Sequence, residues 1–168
     1  MRLKYTPEGS EGMNRLVDKA LELASERHKG QLDDQGRPYF FAHIVQVHSV
    51  LKDVTDDAEV LCAGILHDLL EDTDTTYEEL VHEFNKPIAD LVLELTQQGG
   101  GDSGYYFPFL KSRKAIMVKF ADRLSNLSRM DDWPGDRQEV YLEMSRFWPV
   151  ESPGDKVPSP NTVFDVEE

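Results

Sequence analysis

Leu66-His67-Asp68-Leu69-Leu70-Glu71-Asp72-Thr73 is the stretch on which the reading of this chain turns. Ahead of it runs Val60-Leu61-Cys62-Ala63-Gly64-Ile65, apolar throughout. On a helix, residues three or four apart share a face. Glu71 then stands one turn beyond His67, and Asp72 one turn beyond Asp68. An imidazole and three carboxylates gathered beside an apolar run are costly unless a cation neutralises them. A divalent metal ion meets that need most economically.

Outward from this stretch the periodicity is helical nearly throughout. Met13, Leu16, Val17, Ala20, Leu21 and Ala24 recur at three-four spacing and predict a first helix over about 11–29. Gly30, Gly36 and Pro38 interrupt it. A second helix is expected over about 39–54, and a third from about 57 to 71, capped by Asp56 or Asp57. Thr76-Tyr77-Glu78-Glu79 has capping-box spacing and opens a fourth, and Pro87 suits the first turn of a fifth. After Gly99-Gly100-Gly101 and an aromatic group (Tyr105, Tyr106, Phe107, Phe109), a sixth spans about 109–131 and a seventh about 136–147. Alternation typical of strands is absent. The expected fold is all-α, a bundle of about seven helices in one domain over 1–148. A flexible acidic tail is expected over 149–168, where Pro, Ser, Asp and Glu dominate.

Charge and composition narrow the function. The 168 residues carry a net charge of −14, which disfavours nucleic acid and anionic membranes as partners. No apolar run approaches a membrane span, and the amino terminus lacks a signal peptide's apolar stretch. A lone cysteine, Cys62, suits a reducing compartment, so a cytoplasmic location is expected. Against the acidic background, Lys111, Arg113, Lys114, Lys119, Arg123 and Arg129 cluster around Asp122 alone. That stretch reads either as an exposed basic helix face or as a wall that faces phosphate. His48 and His82 are assigned to packing, and His28 to packing or capping.

Side-chain chemistry supplies a metal set. His67 and Asp68 are neighbours, about 100° apart on a helix, so both can reach one ion. His43 on the second helix and Asp122 in Lys119-Phe120-Ala121-Asp122-Arg123 are the candidate third and fourth ligands. Two imidazoles and two carboxylates suit Mn²⁺, the expected ion, with Fe²⁺, Co²⁺ and Mg²⁺ as alternatives to it.

Three blocks occur in a known order: Gln31-x4-Gly36-x-Pro38-Tyr39-x3-His43, then His67-Asp68-x2-Glu71-Asp72-Thr73, then Val118-Lys119-x-Ala121-Asp122-Arg123-Leu124-x-Asn126. Over roughly 13–148 the chain resembles the HD-domain phosphohydrolases. Within them it resembles the hydrolase domain of RelA/SpoT proteins and the small stand-alone alarmone hydrolases. The resemblance implies an HD-domain helical bundle, with His43, His67, Asp68 and Asp122 as metal ligands. It makes Glu71 and Asp72 the acids that handle the attacking water, and places Asn126 by the nucleotide's sugar. Lys119, Arg123 and Arg37 are the remaining expected substrate contacts, with Lys119 projecting near the pocket rim and Lys114 a further candidate.

The implied activity is removal of the 3′-pyrophosphate from (p)ppGpp, a small-molecule nucleotide substrate, with no room for a synthetase module. One departure bears on the substrate. Alarmone hydrolases usually carry a guanine-stacking basic residue between the positions of Gln31 and Gly36, where this chain has Leu32-Asp33-Asp34-Gln35. An aspartate can neither stack as a guanidinium plane nor attract polyphosphate. The alternatives are therefore an HD phosphohydrolase acting on another nucleotide (a nucleoside phosphate, a dinucleotide or NADPH), or a non-catalytic nucleotide-binding module. Oligomeric state is not legible in the sequence.

Overall fold

A computed structural model describes residues 7–96 and 110–145. The tail expected over 149–168 and the aromatic group at 105–109 lie outside the described residues. Among those described there are eight α-helical segments and no strand beyond the isolated bridge Leu32–Pro38. They are α1 (Pro7–Arg27), α2 (Val45–Lys52), α3 (Ala58–Leu66), α4 (Leu69–Asp72), α5 (Tyr77–Glu83), α6 (Lys86–Leu95), α7 (Arg113–Leu127) and α8 (Gly135–Met144). A π-helical turn, Phe40–Ile44, leads into α2, and a 3₁₀ turn, Met130–Asp132, precedes α8. The all-α expectation matches this architecture.

Local signals place most ends. Asp57 caps α3 by accepting from the Glu59 and Val60 amides, and Thr76 caps α5 through the Glu79 amide. Asn85 caps α6, with Pro87 in its first turn, and Ser112 caps α7 through the Ala115 amide. The sixth expected helix begins later than its periodicity suggests, because Glu94 on α6 accepts from the Lys111 and Ser112 amides and from the Ser112 hydroxyl. Those bonds hold the chain extended up to the cap. Gly30, at φ +84°, lies in the turn from His28 to Gln31 that follows α1, in the left-handed region that glycine adopts without strain.

α3 is the centre of the fold. Every residue from Val60 to Leu66 is buried, and α1, α2, α6 and α7 all pack against it. The core joins Ile44, Val47 and Leu51 to Leu61, Ile65 and Leu66, and to Ile88, Val92 and Val118. Gly64 lets α2 approach: a Cβ there would overlap Leu51 Cδ1, itself fully buried. Gly64→Ala is expected to cost about 1–3 kcal/mol by overpacking, read as a lowered thermal midpoint. An unchanged midpoint would show that Leu51 repacks freely.

The expected third helix, continuous to about 71, is instead broken at His67 and Asp68. His67 Nδ1 lies 2.9 Å from the Gly64 carbonyl, the acceptor that the Asp68 amide would use in a regular helix. The chain turns there and re-enters a helix, with the Asp72 amide donating to the Asp68 carbonyl at 2.9 Å. His82 also departs from expectation, since its side chain is 86% exposed beside Glu83 rather than packed.

Candidate metal centre

Three separate elements converge on one point. His43 comes from the π-turn, His67 and Asp68 from the α3–α4 break, and Asp122 from the middle of α7. His43 Nε2 stands 3.2 Å from His67 Nε2 and 3.4 Å from Asp122 Oδ1. Ligand atoms of His43, His67 and Asp122, all buried, lie within 4.8 Å of one another. Asp68 Oδ2 joins the cluster at 3.1 Å from His67 Nε2 and 3.5 Å from His43 Nε2. The break at residue 67 serves this arrangement. Because Nδ1 is tied to the Gly64 carbonyl, Nε2 is the nitrogen turned inward. His43 sits in a π-turn, a helix distortion common at functional sites, where the Val45 amide donates back to the Phe40 carbonyl.

Each carboxylate is held by a further side chain. The Tyr39 hydroxyl donates to Asp68 Oδ2 at 2.6 Å, and Asn126 Nδ2 donates to Asp122 Oδ1 at 2.8 Å. Lys119 Nζ meets Asp122 Oδ2 at 2.8 Å. His43 Nδ1 lies 2.9 Å from Ser125 Oγ. Burial and the charges of Asp68, Asp72 and Asp122 push the Tyr39 phenol far above its ordinary value, so it acts as a fixed donor.

The electrostatics fit a cation. Burial opposes ionisation of Asp122, but the Lys119 ammonium and the two imidazoles outweigh it and hold the carboxyl well below the usual range. Asp68 is likewise lowered, burial being overcome chiefly by His67. Burial disfavours charge on His67, yet the neighbouring Asp68 and Asp122 lift its imidazole to about 9. A buried cluster that draws a proton onto an imidazole at neutral pH is short of positive charge. Two imidazole nitrogens with carboxylate oxygens are a donor set that Mn²⁺, Fe²⁺, Co²⁺ or Zn²⁺ accepts, so these residues fit a divalent ion.

The cations expected to face the substrate have these partners in the fold. Lys119 is 7% exposed and bound to Asp122, so it does not project at a rim. Lys114 pairs with Asp57 and Glu59 at the start of α3, at 2.8 and 2.6 Å. Arg123 is buried, with its guanidinium 4.9 Å from the centre of the Tyr141 ring. Arg37 is half-exposed and lies against Asp33 at 2.7 Å. The basic stretch around Asp122 is thus not one continuous wall: Lys114, Lys119 and Arg129 face different acids, Arg123 lies over Tyr141, and Lys111 and Arg113 are exposed. Glu71 and Asp72 are exposed on α4, immediately after Asp68.

Other groups near the cluster escaped the sequence reading. Gln31 donates to Asp72 Oδ2 at 3.1 Å, and its amide oxygen lies 2.6 Å from His28 Nδ1. The His28 ring is buried against Tyr39, 5.2 Å between centroids. Tyr39, Ser125 and Arg129 likewise contact the cluster. Tyr39 and Gln31 stand in the quoted blocks, but only the folded chain shows what their side chains touch.

Comparison with known proteins bears on the family. The HD domain family matches residues 20–100. The guanosine-3′,5′-bis(diphosphate) 3′-pyrophosphohydrolase of Borreliella burgdorferi is 32% identical over 148 residues, 80% of this chain and 22% of that protein. The protein of the same name from Aquifex aeolicus is 33% identical over 123 residues, 68% of this chain and 18% of its own length. The bifunctional (p)ppGpp synthase/hydrolase SpoT of Escherichia coli is 29% identical over 134 residues, 72% of this chain and 19% of that one. This chain therefore spans about a fifth of the length of these relatives. A solved structure described as a metazoan ortholog of SpoT that hydrolyses ppGpp superposes with a TM-score of 0.68 at 26% identity, covering 77% of this chain and 80% of that one. The chain carries an HD domain related to the hydrolase domains of SpoT and RelA proteins and to that metazoan ortholog.

Proposed function

We propose that this chain is a divalent-metal-dependent phosphohydrolase whose substrate is (p)ppGpp, from which it removes the 3′-pyrophosphate. The observation that carries the reading is the buried convergence of His43, His67 and Asp122, with Asp68 beside it and two further carboxylates on the next turn. The similarity to ppGpp hydrolases supports the choice of substrate.

His43, His67, Asp68 and Asp122 would hold the ion. Bound there, a divalent ion lowers the pKa of coordinated water and polarises a phosphoryl oxygen. Tyr39 and Asn126 keep the two carboxylates turned toward it. Of Glu71 and Asp72, exposed on α4 just after Asp68, one accepts the proton of the attacking water as its oxygen bonds to phosphorus and the other orients that water. The bond between phosphorus and the sugar 3′ oxygen breaks, and that oxygen takes up the proton. Gln31, by donating to Asp72, limits which way this acid faces.

The test is direct. With Mn²⁺, the purified chain should release pyrophosphate from ppGpp, and chelation should stop it. Release of orthophosphate from simple nucleotides with ppGpp left intact would instead favour the second reading, an HD phosphohydrolase acting on another nucleotide. One specific observation favours that second reading: Asp33 and Asp34 occupy the turn beside the cluster, where the alarmone hydrolases carry a cation.

A further inference from the structure

Asp33 does not present free negative charge to the site. Its side chain is 5% exposed and its oxygens are fully engaged. Oδ1 accepts from the Gln35 and Arg37 amides at 3.0 and 2.8 Å, which shapes the turn at Gly36. Oδ2 accepts from Arg37 Nε at 2.9 Å and faces Arg129 Nη1 at 3.4 Å. Burial works against its ionisation, but the Arg37 bonds prevail and hold it below the usual carboxylate range.

Arg129, just beyond α7, is equally committed. Its guanidinium is 8% exposed, with Nε donating to the Ser125 carbonyl at 3.2 Å. Nη2 donates to Asn126 Oδ1 at 2.6 Å and lies 3.0 Å from His43 Nδ1. Because Arg129 claims the Asn126 oxygen, the Asn126 nitrogen is the end turned to Asp122 Oδ1. An always-charged guanidinium thus stands directly behind one candidate ion ligand and beside the residue that orients another.

We propose that Asp33 and Arg129 form a positioning pair for the ion site: Arg129 fixes the Asn126 amide and closes the space behind the His43 ring, and Asp33 supplies the counter-charge that makes a buried cation tolerable there. The inference rests on the ion-binding reading of the cluster, but not on the identity of the nucleotide. The neighbouring pair, Asp34 with Arg137 at 2.9 Å, is half-exposed on both sides. Such a pair is screened by water, so it contributes little to the ion.

Asp33→Asn is the discriminating variant, because its amide oxygen can still accept the two turn amides while the charge is removed. Calorimetric titration of the substrate-free protein with Mn²⁺ should show affinity about tenfold weaker, the lower end for a residue behind a metal ligand. Adding Arg129→Met to it removes the stranded cation and should recover part, not all, of the lost Mn²⁺ affinity, because Asn126 is then no longer held against Asp122; kcat stays depressed for the same reason. Asp34→Asn should change Mn²⁺ affinity less than twofold. Thermal melts establish that each variant is folded. A folded Asp33→Asn protein with parental Mn²⁺ affinity would overturn the inference, as would a double variant no better than Asp33→Asn alone. If the charge effects appear but no nucleotide is hydrolysed, the pairing stands and the hydrolase assignment falls.

Discussion

His67→Ala and Asp68→Ala should each abolish tight divalent-ion binding and lower turnover by at least about a thousandfold. Removing an ion that supplies several kcal/mol of transition-state stabilisation costs that much, at about 1.4 kcal/mol per tenfold. The geometry explains why neither residue can be spared. His67 Nε2 stands 3.2 Å from His43 Nε2 and 3.1 Å from Asp68 Oδ2, and its Nδ1 is held by the Gly64 carbonyl. Alanine removes the inward nitrogen and the bond that breaks the helix together. Asp68→Ala strands the Tyr39 hydroxyl, which has a carboxylate acceptor at 2.6 Å. Because both changes disturb buried groups, His67→Gln and Asp68→Asn, closer in size to the native side chains, should be titrated with Mn²⁺ alongside them. Parental turnover in a folded variant of either residue would remove the basis for a metal site.

Glu71→Gln and Asp72→Asn are expected to separate ion binding from catalysis. Both acids are exposed on α4, outside the buried donor cluster, so Mn²⁺ affinity should stay within a few-fold of the parent. If they carry the proton of the attacking water, kcat should fall by roughly 10²–10⁴ with KM little changed. The smaller loss is expected for whichever acid plays only an orienting part. A fall in ion affinity that tracks the fall in turnover would make them ligands rather than proton carriers. Loss of KM alone would make them substrate contacts.

Much of the site was legible in the linear chain because its residue types are chemically specific. His43, His67 and Asp122 stand out by residue type and spacing alone, and the fold brings their ligand atoms within 4.8 Å of one another. Asp68 joins them at the distances given above. The helix caps at Asp57 and Thr76 were equally readable, since a cap is a bond between close neighbours. What misled was charge. Lys114 and Lys119 look alike in a basic run, yet one reaches back to α3 and the other bonds the adjacent ligand. Asp33 looks like an obstacle to an anionic substrate, yet it is buried between two arginines, one of them 96 residues away along the chain.

Helical periodicity and capping are short-range, so the all-α architecture and most helix limits follow from residues within a few positions of each other. The inward turn of His67 depends on a backbone carbonyl that its own side chain captures, which periodicity cannot register. The partners of the charged residues depend on which helices lie side by side. An ion pair is decided by distance and burial, and those exist only once α3 has been enclosed by α1, α2, α6 and α7.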